Sequence, residues 1–94
     1  MNYKEYLNLV KEKDIYIGKM IVAVEVDSQI ENLSEPDYER VCEFIYQCYL
    51  KSENIDAGTL AWYFNYKLVD GGSVDEIMKQ GIYKFIEEAG RVGE

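Results

Sequence analysis

The chain has 94 residues, no histidine, and 18 acidic against 10 basic residues, for a formal charge of −8. Without histidine it lacks the commonest general base and the commonest zinc ligand, which removes most familiar catalytic and metal constellations. The acid excess argues against direct binding of DNA or RNA, whose phosphates such a surface repels.

With 48% hydrophobic residues the chain can bury a core without staples, and no Pro, Gly or Ser-rich stretch divides it, so residues 1–94 read as a single domain. Tyr3, Tyr6, Leu7 and Val10 fall at i, i+3, i+4 and i+7, with Lys4, Glu5, Asn8, Lys11 and Glu12 on the other side. That pattern predicts an amphipathic helix over residues 2–13, broken from Asp14 to Gly18. The same N-terminal charges stand where a secretory leader needs an apolar run, and the longest apolar run, Met20–Val24, is far short of the ~20 residues of a membrane span.

The segment from Lys19 to Leu33 has two readings. Met20, Val22, Val24 and Val26 alternate with their neighbours as in a strand, giving an alternative fold with one strand or hairpin around 19–27. Helix is favoured, because Val22, Val26, Ile30 and Leu33 form one stripe with Ala23 beside it, and a lone strand would have nothing to pair with.

Ser34, Glu35, Pro36 and Asp37 form a helix start: Ser34 caps, the acids complement the dipole, and the proline lies where its missing N–H does no harm. The helix should reach about Ser52 and be central, since its polar residues cover under half its circumference. Asp56 should cap a second central helix through Val69, apolar nearly all round and ended by Gly71 and Gly72. Ser73 and Glu76 then make a capping box for one last helix. Its buried face is Val74, Ile77, Met78, Ile82, Phe85, Ile86 and Ala89, with Gly81 on that face and Gly90 at its end. The expected fold is all-α, a compact bundle of four to five short helices.

Candidate chemistry is sparse. The loop from Asp70 to Glu76 has the acids and glycines of an ion or phosphate loop, but neither EF-hand nor P-loop spacing, and capping accounts for its residues. Cys42 and Cys48 are about 9 Å apart along one helix and on different faces, so they do not bridge each other and read as core residues. Two unpaired thiols fit a reducing cytoplasm. No metal, cofactor or enzymatic activity is expected. Tyr-x-x-Tyr pairs (Tyr3 with Tyr6, Tyr46 with Tyr49, Tyr63 with Tyr66) recur at helical spacing, and Tyr83 falls opposite the apolar stripe of the last helix, where the bundle has no use for it.

Charge is the discriminating feature. Between Met20 and Leu50 stand Glu25, Asp27, Glu31, Glu35, Asp37, Glu39 and Glu43 against Arg40 alone, so this third of the chain carries most of the net charge. Laid out at helical rise, Glu25 to Glu43 spans about 28 Å, a length over which one DNA strand carries about eight phosphates. These seven carboxylates and Tyr83 are the candidate partner-binding residues.

No family motif matches. In size, acidity and tyrosine content the chain resembles the small inhibitors of phages and mobile elements, including anti-CRISPR and anti-restriction proteins that imitate nucleic acid. The resemblance is one of composition and covers no alignable residues. It implies a non-enzymatic regulatory protein whose acidic face binds a basic partner surface, that of a nucleic-acid-binding protein. The alternative is a helical adaptor that self-associates as a homodimer, through its aromatic faces or a seam at Gly81.

Overall fold

The computed structural model describes residues 16–92, with the side chain of Tyr16 excluded. The helix expected over residues 2–13 lies outside the described residues. Those described form five helices and no strand: α1 (Tyr16–Gln29), α2 (Glu35–Lys51), α3 (Ala57–Val69), α4 (Val74–Lys79) and α5 (Ile82–Val92). The all-α expectation holds, and the uncertain segment is helix. Its buried stripe is the one read from the sequence: Val22, Ala23, Val26 and Ile30 lie in the core, and Leu33 packs at its margin. Helix wins because this stripe has a matching groove between α2 and α3, both of which α1 packs against.

Each expected start is capped as its sequence requires. The Ser34 hydroxyl accepts from the Asp37 amide at 3.3 Å, Asp56 from the Thr59 amide at 2.7 Å, and Ser73 from the Glu76 amide at 3.1 Å. The end of α3 is a Schellman motif. Gly71 takes φ +101°, its amide donates to the Leu68 carbonyl, and the Gly72 amide donates to the Lys67 carbonyl.

Both predicted central helices are central, since α2 and α3 each pack against all the other described helices. The core between them contains an aromatic cluster. Phe44 of α2 meets Phe64 of α3 and Phe85 of α5 edge-on, at centroid distances of 6.0 and 5.2 Å, and Phe64 and Phe85 are 5.8 Å apart. Edge-to-face pairs of this kind add about 0.5–1.5 kcal/mol each beyond the area they bury.

The structure corrects three glycine readings. Gly81 does not lie inside a helix. It takes φ +95° and separates α4 from α5, its amide donating to the Met78 carbonyl and its own carbonyl accepting from Phe85. A Cβ there would meet nothing within 4 Å, so no other helix of the chain approaches it closely. The stripe from Val74 to Ala89 does reach the core, but on two helices. Gly90 lies within α5 instead of ending it, and a Cβ there would stand 3.2 Å from the Ile55 side chain. Gly18, expected in a break, is inside α1, where a Cβ would stand 3.1 Å from the Tyr46 ring. Close approach is therefore made at Gly18, by α2, and at Gly90, by the α2–α3 connection.

Candidate interaction surface

The seven candidate carboxylates do not form one face. Glu35, Glu39 and Glu43 recur every four residues, so they run along one edge of α2 with axial steps of about 6 Å. Asp27 of α1 lies two helical turns beyond Lys19, which pairs with Glu43, and so on the side of α1 turned toward this edge. Glu31, just past the end of α1, lies instead with Gln29 and Asn32 beside Asn65, Leu68 and Val69 of α3.

Glu25 and Asp37 point elsewhere. Glu25 is about 160° from Asp27 around the α1 axis. The Gln29 amide donates both to its Oε2 at 2.8 Å and to the Gly58 carbonyl at 2.9 Å. Its carboxylate thus sits beside the first turn of α3, whose positive dipole end it complements. A Cβ at position 58 would come within 3.0 Å of that carboxylate, which explains the glycine. Asp37 accepts from Arg40 at 3.0 Å, and Arg40 also pairs with Asp75 of α4. The two carboxylates hold the Arg40 guanidinium above its usual pKa, the hydrogen bond to Asp75 contributing most.

Tyr83 is exposed, at 72% of its surface, as its place opposite the apolar stripe required. It does not join the acids. It rides on α5, which meets α2 through Phe44, and Phe44 is about 100° from Glu43 and 180° from Glu35 around the α2 axis.

Two features of this surface had a weak signal or none in the sequence. Lys19 reaches from α1 to Glu43, with Nζ 3.1 Å from Oε2 and 5.1 Å from the Tyr46 ring centroid, so Glu43 is already paired. The outer side of α3 is the second. Trp62, Tyr66 and Val69 stand exposed at i, i+4 and i+7, with Trp62 stacked on Tyr66 at 5.7 Å. Their spacing was visible, but an almost wholly apolar helix gives no polar face by which to tell its outside.

Little here supports catalysis. Both thiols are buried, and burial pushes each up to about 12; at Cys42 a hydrogen bond from Tyr38 opposes that rise and the nearby carboxylates add to it. Burial of this kind works against the reactive thiolate at both positions. Tyr63 is raised by burial and by Glu88, which accepts its hydroxyl at 3.3 Å. Among the described residues no group of three or more His, Cys, Asp or Glu side chains could hold a metal, and no helix is long and apolar enough to cross a membrane. A surface groove of about 740 Å³ between the α2–α3 connection and α5 is lined by Glu53, Asp56, Glu87, Lys51 and Arg91 among others. Three of these charges are accounted for locally: Asp56 caps α3, its carboxyl held low by the Thr59 amide, and Arg91 pairs with Glu87.

Comparison with protein-family models, with curated proteins and with solved structures returns no match.

Proposed function

We propose that the protein is a non-enzymatic regulator that docks on a basic protein surface through the edge formed by Asp27, Glu35, Glu39 and Glu43, with a nucleic-acid-binding protein as the partner. The observation that carries this reading is the row of Glu35, Glu39 and Glu43. Like charges four apart on a helix cost about 0.2–0.5 kcal/mol per pair, and this helix places two such pairs in succession. Lys19 pairs with Glu43. Carboxylates every ~6 Å are about half as dense along the axis as the phosphates of one DNA strand, and Asp27 alongside raises that density. Such an edge steers a basic partner at low salt and suits an inhibitor that takes the place of nucleic acid on that partner.

The test is capture of the partner across a salt series, by the wild type and by Glu39→Lys/Glu43→Lys. Captured material should fall steeply as salt rises and drop more than tenfold in the variant at low salt. Equal capture at low salt and at about 1 M, or by both proteins, refutes the reading.

A second reading, a self-associating adaptor, has the exposed stripe Trp62, Tyr66 and Val69 in its favour. A dimer insensitive to salt and dispersed by Trp62→Asp distinguishes it.

A further inference from the structure

The outer side of α3 runs into a notch. Trp62, Tyr66 and Val69 stand 44, 48 and 79% exposed along one face of the helix. The two rings are held in place: Trp62 stacks on Tyr66 at 5.7 Å and Tyr66 on the buried Tyr63 at 6.0 Å, with interplanar angles of 25° and 15°. Val69 is also one wall of a notch of about 340 Å³, which it shares with Asn65 and Leu68 of α3 and with Gln29, Glu31 and Asn32 at the end of α1. Helices α1 and α3 both terminate here, at Gln29 and Val69, so the negative ends of two dipoles meet at one place. Glu31 adds a full charge, and Asp70, exposed, follows Val69. Among the described residues no base lines the notch. The last turn of α1 has none, and Lys67, in the last turn of α3, points about 160° away from Val69.

We infer that this face of α3 is the docking site of an arginine-bearing segment of a partner protein, one guanidinium entering the notch beside Glu31 and another stacking on Trp62 and Tyr66. An apolar stripe alone would suit many occupants, and the charge around it decides between them. Two helix ends and two carboxylates favour a cation at the Val69 end, while the exposed ring pair favours a cation that lies flat. A guanidinium meets both demands, since it forks onto a carboxylate and stacks on a ring face, whereas the ammonium of lysine is compact and strongly hydrated. A second copy is the less suitable occupant, because it brings a charge of −8 to a face already negative at one end. The spacing suits one short segment. Along the α3 axis Tyr66 lies about 4.5 Å from Val69 and Trp62 about 6 Å further on, and an extended chain advances about 3.3–3.6 Å per residue, so arginines two residues apart reach both places. This site is separate from the α2 edge and stands with or without it.

A blocked triarginine peptide, titrated into the full chain and followed by amide and indole chemical shifts, tests this. Shifts are expected at Glu31, Asn32, Asn65 and Val69 and at the Trp62 indole, all saturating together. Glu31→Gln should weaken binding about threefold, the worth of one exposed ion pair, and Trp62→Ala about two- to fivefold. Glu53→Gln removes the same charge from the α2–α3 connection and should leave binding unchanged. A blocked trilysine peptide should bind more weakly and leave the indole unshifted. Equal weakening by Glu31→Gln and Glu53→Gln, or equal binding of the two peptides, overturns the inference. Shifts confined to Glu35, Glu39 and Glu43 overturn it too, while keeping the α2 edge as a docking site. Signals of Trp62 and Val69 that broaden with protein concentration alone would assign the face to a second copy and overturn it equally.

Discussion

The two central helices have the same inner surface and different outer ones. Toward the core, α2 presents Val41, Cys42, Ile45 and Cys48, and α3 presents Leu60, Ala61, Tyr63 and Phe64, all buried. Toward solvent, α2 carries Glu35, Glu39 and Glu43, whereas α3 carries Trp62, Tyr66 and Val69. Packing therefore fixes one side of each helix and leaves the other free to be charged or aromatic. A charged edge acts at a distance and weakens with salt; an aromatic one acts on contact and does not. Binding that follows α2 and ignores α3, or the reverse, identifies which exterior is used.

The most damaging single change is one that breaks both at once. Phe85 touches Phe44 of α2, and Tyr63 and Phe64 of α3, so it ties the two helices together from α5. Phe85→Ala should cost about 3–5 kcal/mol, measured by urea unfolding. A loss below about 1 kcal/mol would show that α5 is not part of the shared core.

Next comes Gly81. Its positive φ with open space around the Cβ position makes the cost of a side chain one of backbone conformation alone, about 1–2 kcal/mol. Gly81→Ala and Gly81→Leu should therefore melt at nearly the same temperature. If leucine is much the worse, a neighbour does approach, and the break between α4 and α5 is not what places Tyr83 apart from the acids.

How far the fold was legible follows from what each residue type controls locally. Ser34, Asp56 and Ser73 set helix starts through one amide each, within three residues, so the sequence shows them directly. The stripe of Val22, Val26 and Ile30 is legible for the same reason, since its period is local. Gly81 misled because a glycine in an apolar stripe reads alike whether it admits a neighbour or turns the chain; only its φ decides. The acidic site was legible as a density of charge and illegible as a surface. Glu25 and Asp27 are neighbours in sequence, but two residues of helix send them to opposite sides, one to the start of α3 and the other to the edge of α2.

A smaller effect is expected from the cap of α3. Asp56→Ala should cost about 1 kcal/mol, and Asp56→Asn, which caps as well, much less. The pH dependence separates charge from cap. The Asp56 carboxyl is held below its ordinary value in the folded chain, so its ionised form contributes stability above the unfolded value of about 3.9, and that contribution is lost as pH falls through the folded value. Asp56→Asn should flatten this part of the acid limb. An unchanged acid limb would mean that other carboxylates set it.

The smallest effect on stability, and a visible one on binding, should come from Arg40, the one base in the acidic third of the chain. It is solvent-exposed between Asp37 and Asp75, and exposed ion pairs contribute little to folding. Arg40→Gln should therefore leave the melting temperature where it is. It does remove a positive charge from α2, the helix that carries the acidic edge, and it releases two carboxylates, so capture of a basic partner at low salt should strengthen and its decline with salt should steepen. Trp62→Ala should change neither slope nor affinity if α2 is the binding helix. Weaker capture by Arg40→Gln would mean that the partner reads Arg40 itself, and would move the contact from the Glu35–Glu43 edge to the side of α2 that faces α4.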